Sequence, residues 1–298
     1  MKNVFYFLIP SSFLITIIAG LFTSWLHRKI TAKFQYRIGP RWYQDFVDAF
    51  RMFNRRPVFL KDSPASLFLL ASALNFTAVM VVSIIVWFAV IAPQTAFAGD
   101  LIVILYLLNM PALSLMLGRI GRHARLMMAY ELPFILSLLV PIILSGGIIK
   151  LADLHQFKQA GFSILRHPSL IFSFLAALVS SQAKLALPPF DGQAIETNIG
   201  SPEPIDYSGL ALAVNKMASM VSLFVIPFFL TVVFLGAIGP RGAGSVPLVI
   251  IKTFAVVLLT IIIKNKGPMF KPEQSLRFLS GPVTAIAVIS VILALLGF

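Results

Sequence analysis

Cysteine is absent from all 298 residues, which excludes disulfides, thiolate-ligated iron–sulfur clusters and thiol nucleophiles from this chain. Any electron-carrying centre that works with it must therefore sit on a partner. Charge is also scarce: Asp, Glu, Lys and Arg make up 12% of the chain, about half the share of a soluble domain. No stretch is polar enough to form a hydrated globular region, so a soluble enzyme is excluded and residues 1–298 read as a single membrane domain. Acids are scarcest, with 11 against 24 basic residues, a net charge of +13. In a soluble protein that excess would suggest nucleic acid. Here the basic residues fall between apolar runs, so they report topology and no nucleic-acid partner is expected.

What is abundant is apolar: 58% of residues are hydrophobic and the mean hydropathy is +0.92. Apolar runs of bilayer-spanning length, roughly 20 residues, fall at 4–26, 65–91, 100–117, 126–149, 169–187, 207–238, 246–263 and 281–298. The expected fold is all-α, an integral membrane protein of about eight transmembrane helices. The first run is too long for a signal segment and lacks a clear cleavage site, so it is expected to be retained.

Loop charge sets the orientation. The first loop carries Arg28, Lys29, Lys33, Arg37, Arg41, Arg51, Arg55, Arg56 and Lys61; the third carries Arg119, Arg122 and Arg125; the seventh carries Lys264, Lys266, Lys271 and Arg277. The other side holds only Lys2, Lys150, Lys158, Arg166 and Arg241. The positive-inside rule places the odd-numbered loops in the cytoplasm and both termini outside the cell membrane. Within the first loop, 42–53 reads as an amphipathic cytoplasmic helix, with Phe46, Ala49, Phe50 and Phe53 on one face and Asp45, Asp48 and Arg51 away from it. Such a helix can lie in the membrane interface or dock a partner.

Ionisable groups inside apolar runs are costly and each raises a functional question. Glu131 follows Arg122 by nine residues near the start of the fourth run; its plainer reading is a pair with Arg122 or Arg125. Lys216 lies nine residues past Tyr207, roughly 13 Å into the membrane. Lys252 lies in the seventh run, where its stem could also snorkel. The fifth loop collects Asp191, Glu196, Glu203 and Asp206, four of the eleven acids, on the face where other loops are basic. Carboxylates beside cationic loops suit proton relay; a solvated loop paired with arginines is the alternative. The histidines are too dispersed for a metal site, and the glycine pairs at 146–147 and 242–244 are turns, not phosphate loops.

Three motifs then stand in order: Arg37-Ile38-Gly39-Pro40 followed by Gln44, Asp45 and Asp48; Arg122 and Glu131 ahead of a proline-containing run; and Pro189-Phe190-Asp191 leading to Asp206-Tyr207-Ser208-Gly209. With these the chain resembles the membrane-anchor subunit shared by respiratory complex I and the energy-converting, formate hydrogenlyase-type membrane-bound NiFe hydrogenases. The resemblance covers nearly the whole chain. It departs from complex I members at Gln193-Ala194-Ile195-Glu196, where they carry Pro-Glu-Ala-Glu, and at Asn198, where an acid is expected. Lys216 follows Tyr-Ser-Gly at the spacing seen in hydrogenase anchors, which places the chain on the hydrogenase side.

The resemblance implies a non-catalytic subunit that binds no cofactor itself. Fe–S clusters and a NiFe centre would sit on partners: hydrogenase large and small subunits, Fe–S subunits and antiporter-like membrane subunits. Docking would fall to Arg37, Arg41, Asp45, Asp48, Arg119, Arg122 and Arg125. Coupling to H⁺ or Na⁺ movement would fall to Glu131, Asp191, Glu196, Glu203, Asp206 and Lys216. The rivals are a quinone-site subunit of complex I, an anchor of a related sulfur-reducing complex, and an independent secondary transporter. The last should show inverted repeats, and none is evident.

Overall fold

The protein is described from a computed structural model covering residues 2–54, 65–97, 99–113, 122–159, 167–190, 209–236 and 246–297. Helices dominate and no strand occurs among these residues. In chain order they are α1 (Lys2–Phe34), α2 (Gln44–Phe53), α3 (Ala65–Ile91), α4 (Asp100–Leu113), α5 (Arg122–Leu144), α6 (Leu151–Gln159), α7 (Pro168–Lys184), α8 (Leu210–Leu235), α9 (Val246–Lys266) and α10 (Pro272–Leu295). Among the described residues each of the eight apolar runs contains a helix. Six are long and apolar enough to cross a membrane, within α1, α3, α5, α8, α9 and α10, whereas α4 and α7 are shorter. Among the described residues six helices therefore meet the length and composition of a span, which does not reach the expected count of about eight. Within the described part of α4 an irregular turn falls at Leu108 and Asn109, just ahead of Pro111.

The helices pack as two groups. α1 and α3 clasp α8, with α2 laid across α8, while α5, α7 and α10 form a second bundle. α8 is the hub, with 83% of its apolar window buried against 28% for α10. Apolar helices gain little hydrophobic drive from one another in lipid, so close packing and polar contacts hold them. Gly20 marks such an approach: a Cβ there would lie 2.7 Å from the Val221 Cα of α8. Thr16 of α1 shares a 2.6 Å hydrogen bond with Ser83 and accepts one from Trp87 Nε1 at 3.1 Å. Asn75 donates to Asn215 at 2.8 Å, tying α3 to α8, and Gln182 donates to the Thr260 carbonyl, tying α7 to α9.

The first connection, the start of the fifth and the seventh gather at one end. The Phe270 N–H donates to the Pro189 carbonyl at 2.9 Å, and the Phe190 ring lies 5.8 Å from that of Phe270 and 6.0 Å from that of Phe278. Asn265 donates to Thr31 across the same end. The Arg37-Ile38-Gly39-Pro40 turn folds back onto α1: Arg37 N–H donates to the Ala32 carbonyl, and Trp25 Nε1 donates to the Pro40 carbonyl. A Cβ on Gly39 would meet the Lys29 side chain at 2.7 Å, so glycine lets the loop lie flat on the helix. The turn thereby holds Tyr36, Arg37, Ile38 and Arg41 outward, all exposed.

The amphipathic helix is present, but its faces are rotated from the sequence reading. Ala49 is buried against Leu21, Met217 and Met220 with Phe46 beside it, as expected, whereas Phe50 and Phe53 point outward. Asp45 is fully buried rather than turned away from the packed face. Its carboxylate pairs with Arg28 of α1, and the same guanidinium reaches Asp48 at 3.5 Å. A periodicity plot treats Asp45 as polar and therefore outside; the ion pair brings it in.

Candidate functional site

A buried polar cluster containing a charge pair joins α4, α5 and α7. Lys184 closes α7, where a cation is favoured by the carbonyl end of the helix. Its Nζ donates to Glu131 Oε2 at 2.8 Å and to Asn109 Oδ1 at 2.7 Å, while Asn109 Nδ2 donates to Glu131 Oε1 at 2.9 Å. Each of the three side chains thus contacts the other two. The helix break before Pro111 frees Asn109 to take part. The Lys184 side chain is 1% exposed and that of Glu131 15%. The rings of Phe134 and Tyr130, on the Glu131 helix, stand 4.8 and 5.6 Å from Nζ and add a cation–π attraction.

Chemically this is a fixed acid–base pair in a low-dielectric setting. There an ion pair persists only while geometry and hydrogen bonds offset desolvation. A charge arriving nearby changes that balance far more than it would in water. The cluster lies at the end where the fifth connection begins: Lys184 precedes Asp191 by seven residues, and Pro188, Pro189 and the buried Phe190 link them.

Of the residues predicted from sequence, Glu131 is in this cluster, joined to Lys184. Asp191, Glu196, Glu203, Asp206 and Arg119 lie outside the described residues. Arg122 and Arg125 occupy the first turn of α5, with their side chains outside the described part. Lys216 stands exposed on α8, with no hydrogen-bond or ion-pair partner among the described residues. Arg37 is exposed, and Arg41 is exposed with Nη1 donating to the Tyr43 hydroxyl at 2.8 Å. Asp45 and Asp48 hold α2 to α1 through Arg28. Lys252 has a structural task, since its Nζ donates to the Leu235 and Gly236 carbonyls at 3.1 and 2.7 Å and so caps the C-terminus of α8.

Lys184 and Asn109 escaped the sequence reading, as did Arg28. Lys184 had a usable signal, being the one charged residue within the 169–187 run, the same criterion that singled out Lys216 and Lys252. Asn109 had none, because a neutral amide in an apolar run carries no charge to betray it. Among the described residues no group of three or more His, Asp or Glu is placed to hold a metal.

Comparison with known proteins gives a consistent result. The chain is 23% identical over 92% of its length to the H subunit of the NADH-quinone oxidoreductase of Helicobacter acinonychis (strain Sheeba), covering 91% of that protein. It is 25% identical over 84% of its length to the protein of the same name from Syntrophotalea carbinolica, covering 83% of it. In fold it matches a chain of the membrane-bound sulfane sulfur reductase, an archaeal respiratory membrane complex, with a TM-score of 0.83 at 20% identity, covering 97% of this chain and 99% of that one. The model of the NADH dehydrogenase family matches residues 7–295, and with nearly the whole chain inside that match, this protein belongs to the NADH dehydrogenase family.

Proposed function

We propose that this chain is the membrane-anchor subunit of a complex I-like respiratory complex of the membrane-bound NiFe hydrogenase type, docking a cytoplasmic redox arm and coupling its electron transfer to H⁺ or Na⁺ translocation. The observation that carries the reading is the buried Lys184–Glu131–Asn109 cluster, set at the end where the first, fifth and seventh connections meet. In this reading α4 and α7 complete eight spans despite their length. The odd-numbered loops face the cytoplasm, and both termini lie outside. Arg37, Arg41 and the arginines 119, 122 and 125 grip carboxylates of the arm, for which the planar guanidinium is suited.

The coupling is electrostatic. A redox step changes charge near Asp191, Glu196, Glu203 and Asp206; the Glu131–Lys184 pair answers by altered protonation or separation, with Lys216 as a further charge at a subunit boundary. Fe–S clusters and a NiFe centre reside on partner subunits, alongside antiporter-like membrane subunits that move the ion.

A second reading, the anchor of a sulfur-reducing complex, is favoured by the match to the sulfane sulfur reductase chain over nearly its full length. Purification through a tag on this chain, with mass spectrometry of copurifying proteins and elemental analysis for nickel, separates the two. Nickel with a hydrogenase pair, Fe–S subunits and antiporter-like subunits is the expected result. Fe–S and antiporter-like subunits without nickel would move the assignment to the sulfur-reducing or quinone branch. A stable chain recovered alone would overturn both.

A further inference from the structure

A groove opens on the outer surface of the second bundle, between α5 and α10. It encloses about 300 Å³ and is lined by Met128, Ala129 and Leu132 of α5 and by Leu276, Ser280 and Thr284 of α10. Its floor is effectively apolar, because both hydroxyls are already engaged: Ser280 donates to the Leu276 carbonyl and Thr284 to the Leu279 carbonyl, each at 2.7 Å. Met128 and Leu132 are 75% and 54% exposed along its walls. The groove exists because α10 takes a π-turn at Leu279–Val283, and because Ala129, Ser280 and Thr284 are small.

Its position and charge narrow the occupant. The groove lies at the odd-loop end of two apolar helices of spanning length. Arg277 is exposed on the turn beside Leu276, and Lys271 is exposed just before α10. No carboxylate lines the groove; the acids nearest in sequence are Glu273, exposed at the start of α10, and Glu131, engaged inside the bundle. An apolar slot with a basic mouth fits a molecule that is a hydrocarbon at one end and anionic at the other.

We infer that this groove is a binding site for one anionic bilayer phospholipid, with an acyl chain between α5 and α10 and the phosphate at Arg277. The chain would lie against the outer side of the α5 turn whose inner side presents Tyr130, Glu131 and Phe134, so the lipid braces the helix segment that holds the ion pair. Basic residues at the cytoplasmic surface each favour anionic lipid by about 1 kcal/mol, which sets the scale for the test.

The test uses the complex purified through this chain, stripped of loosely held lipid by detergent washing. Phosphatidylglycerol and phosphatidylcholine are then added separately, and bound lipid is counted by native mass spectrometry. The wild type should keep one phosphatidylglycerol in preference to phosphatidylcholine. Arg277→Gln, an exposed change that leaves the fold intact, should reduce that preference about fivefold. Ala129→Phe, filling the slot, should weaken retention of the phospholipid by about tenfold or more while the subunits stay together. Equal binding of the two lipids by the wild type, or unchanged retention in both variants, would overturn the proposal. Loss of a membrane subunit from Ala129→Phe would also overturn it, assigning the groove to a protein partner.

Discussion

Glu131→Ala is expected to destabilise this protein more than Lys184→Met, and the double variant is expected to recover most of the loss. Removing Glu131 strands an ammonium that is 1% exposed, with only the Asn109 carbonyl and two aromatic rings left to it. Leaving a buried charge without its counter-charge costs about 3–5 kcal/mol. Removing Lys184 strands a carboxylate that is 15% exposed and still accepts from Asn109, so the penalty is smaller. Removing both leaves Asn109 without partners but no unpaired charge, the arrangement that often proves neutral. Unfolding midpoints across an SDS titration of the four proteins give the coupling energy directly. Additive losses in the double variant would mean that the two side chains do not form the pair described here.

Arg28→Met is expected to loosen α2 more than Asp45→Asn does, although both break the same contact. The asymmetry follows from burial: the Asp45 side chain is fully buried, whereas that of Arg28 is 44% exposed. Without Arg28 a carboxylate is left in an apolar seam, and one way to relieve it is to lift α2 away from α8. Without the Asp45 charge, Arg28 can turn to water and to Asp48, already within 3.5 Å. The absence of native cysteine makes this easy to read. Ala49→Cys places a single thiol under α2, where Ala49 is 7% exposed. Maleimide should label it about tenfold faster in the Arg28→Met background, the change that losing about 1.4 kcal/mol of opening cost produces. Equal rates in the two backgrounds would show that packing of Ala49 and Phe46, not the ion pair, holds the helix.

The fold was legible where physics acts on whole segments. Among the described residues the apolar runs became helices, six of them of spanning length, because an apolar stretch with so few charges must satisfy its own backbone hydrogen bonds in lipid. The amphipathic helix after α1 was visible in its spacing. The faces of that helix were not, since the Asp45–Arg28 pair brings together residues from two elements. The same limit governed the site. Glu131 stood out as a carboxylate in an apolar run, but the lysine it pairs with came from a helix 53 positions away. Lys252 looked functional by the same rule and proved to be a helix cap. Depth in an apolar run identifies costly residues; it does not say whether the cost is met by structure or by function.

The central claim is that the Glu131–Lys184 pair carries the charge signal between the cytoplasmic face and the membrane. Glu131→Gln tests it most directly, because glutamine keeps a carbonyl acceptor for Lys184 while removing the charge and the proton. The measurement is electron transfer and ion uptake in parallel, on the complex reconstituted in sealed vesicles. The expected result is an assembled complex with redox turnover largely retained and ion uptake abolished. Normal ion uptake per electron in that variant would contradict the claim and leave the pair as a structural tie between α5 and α7.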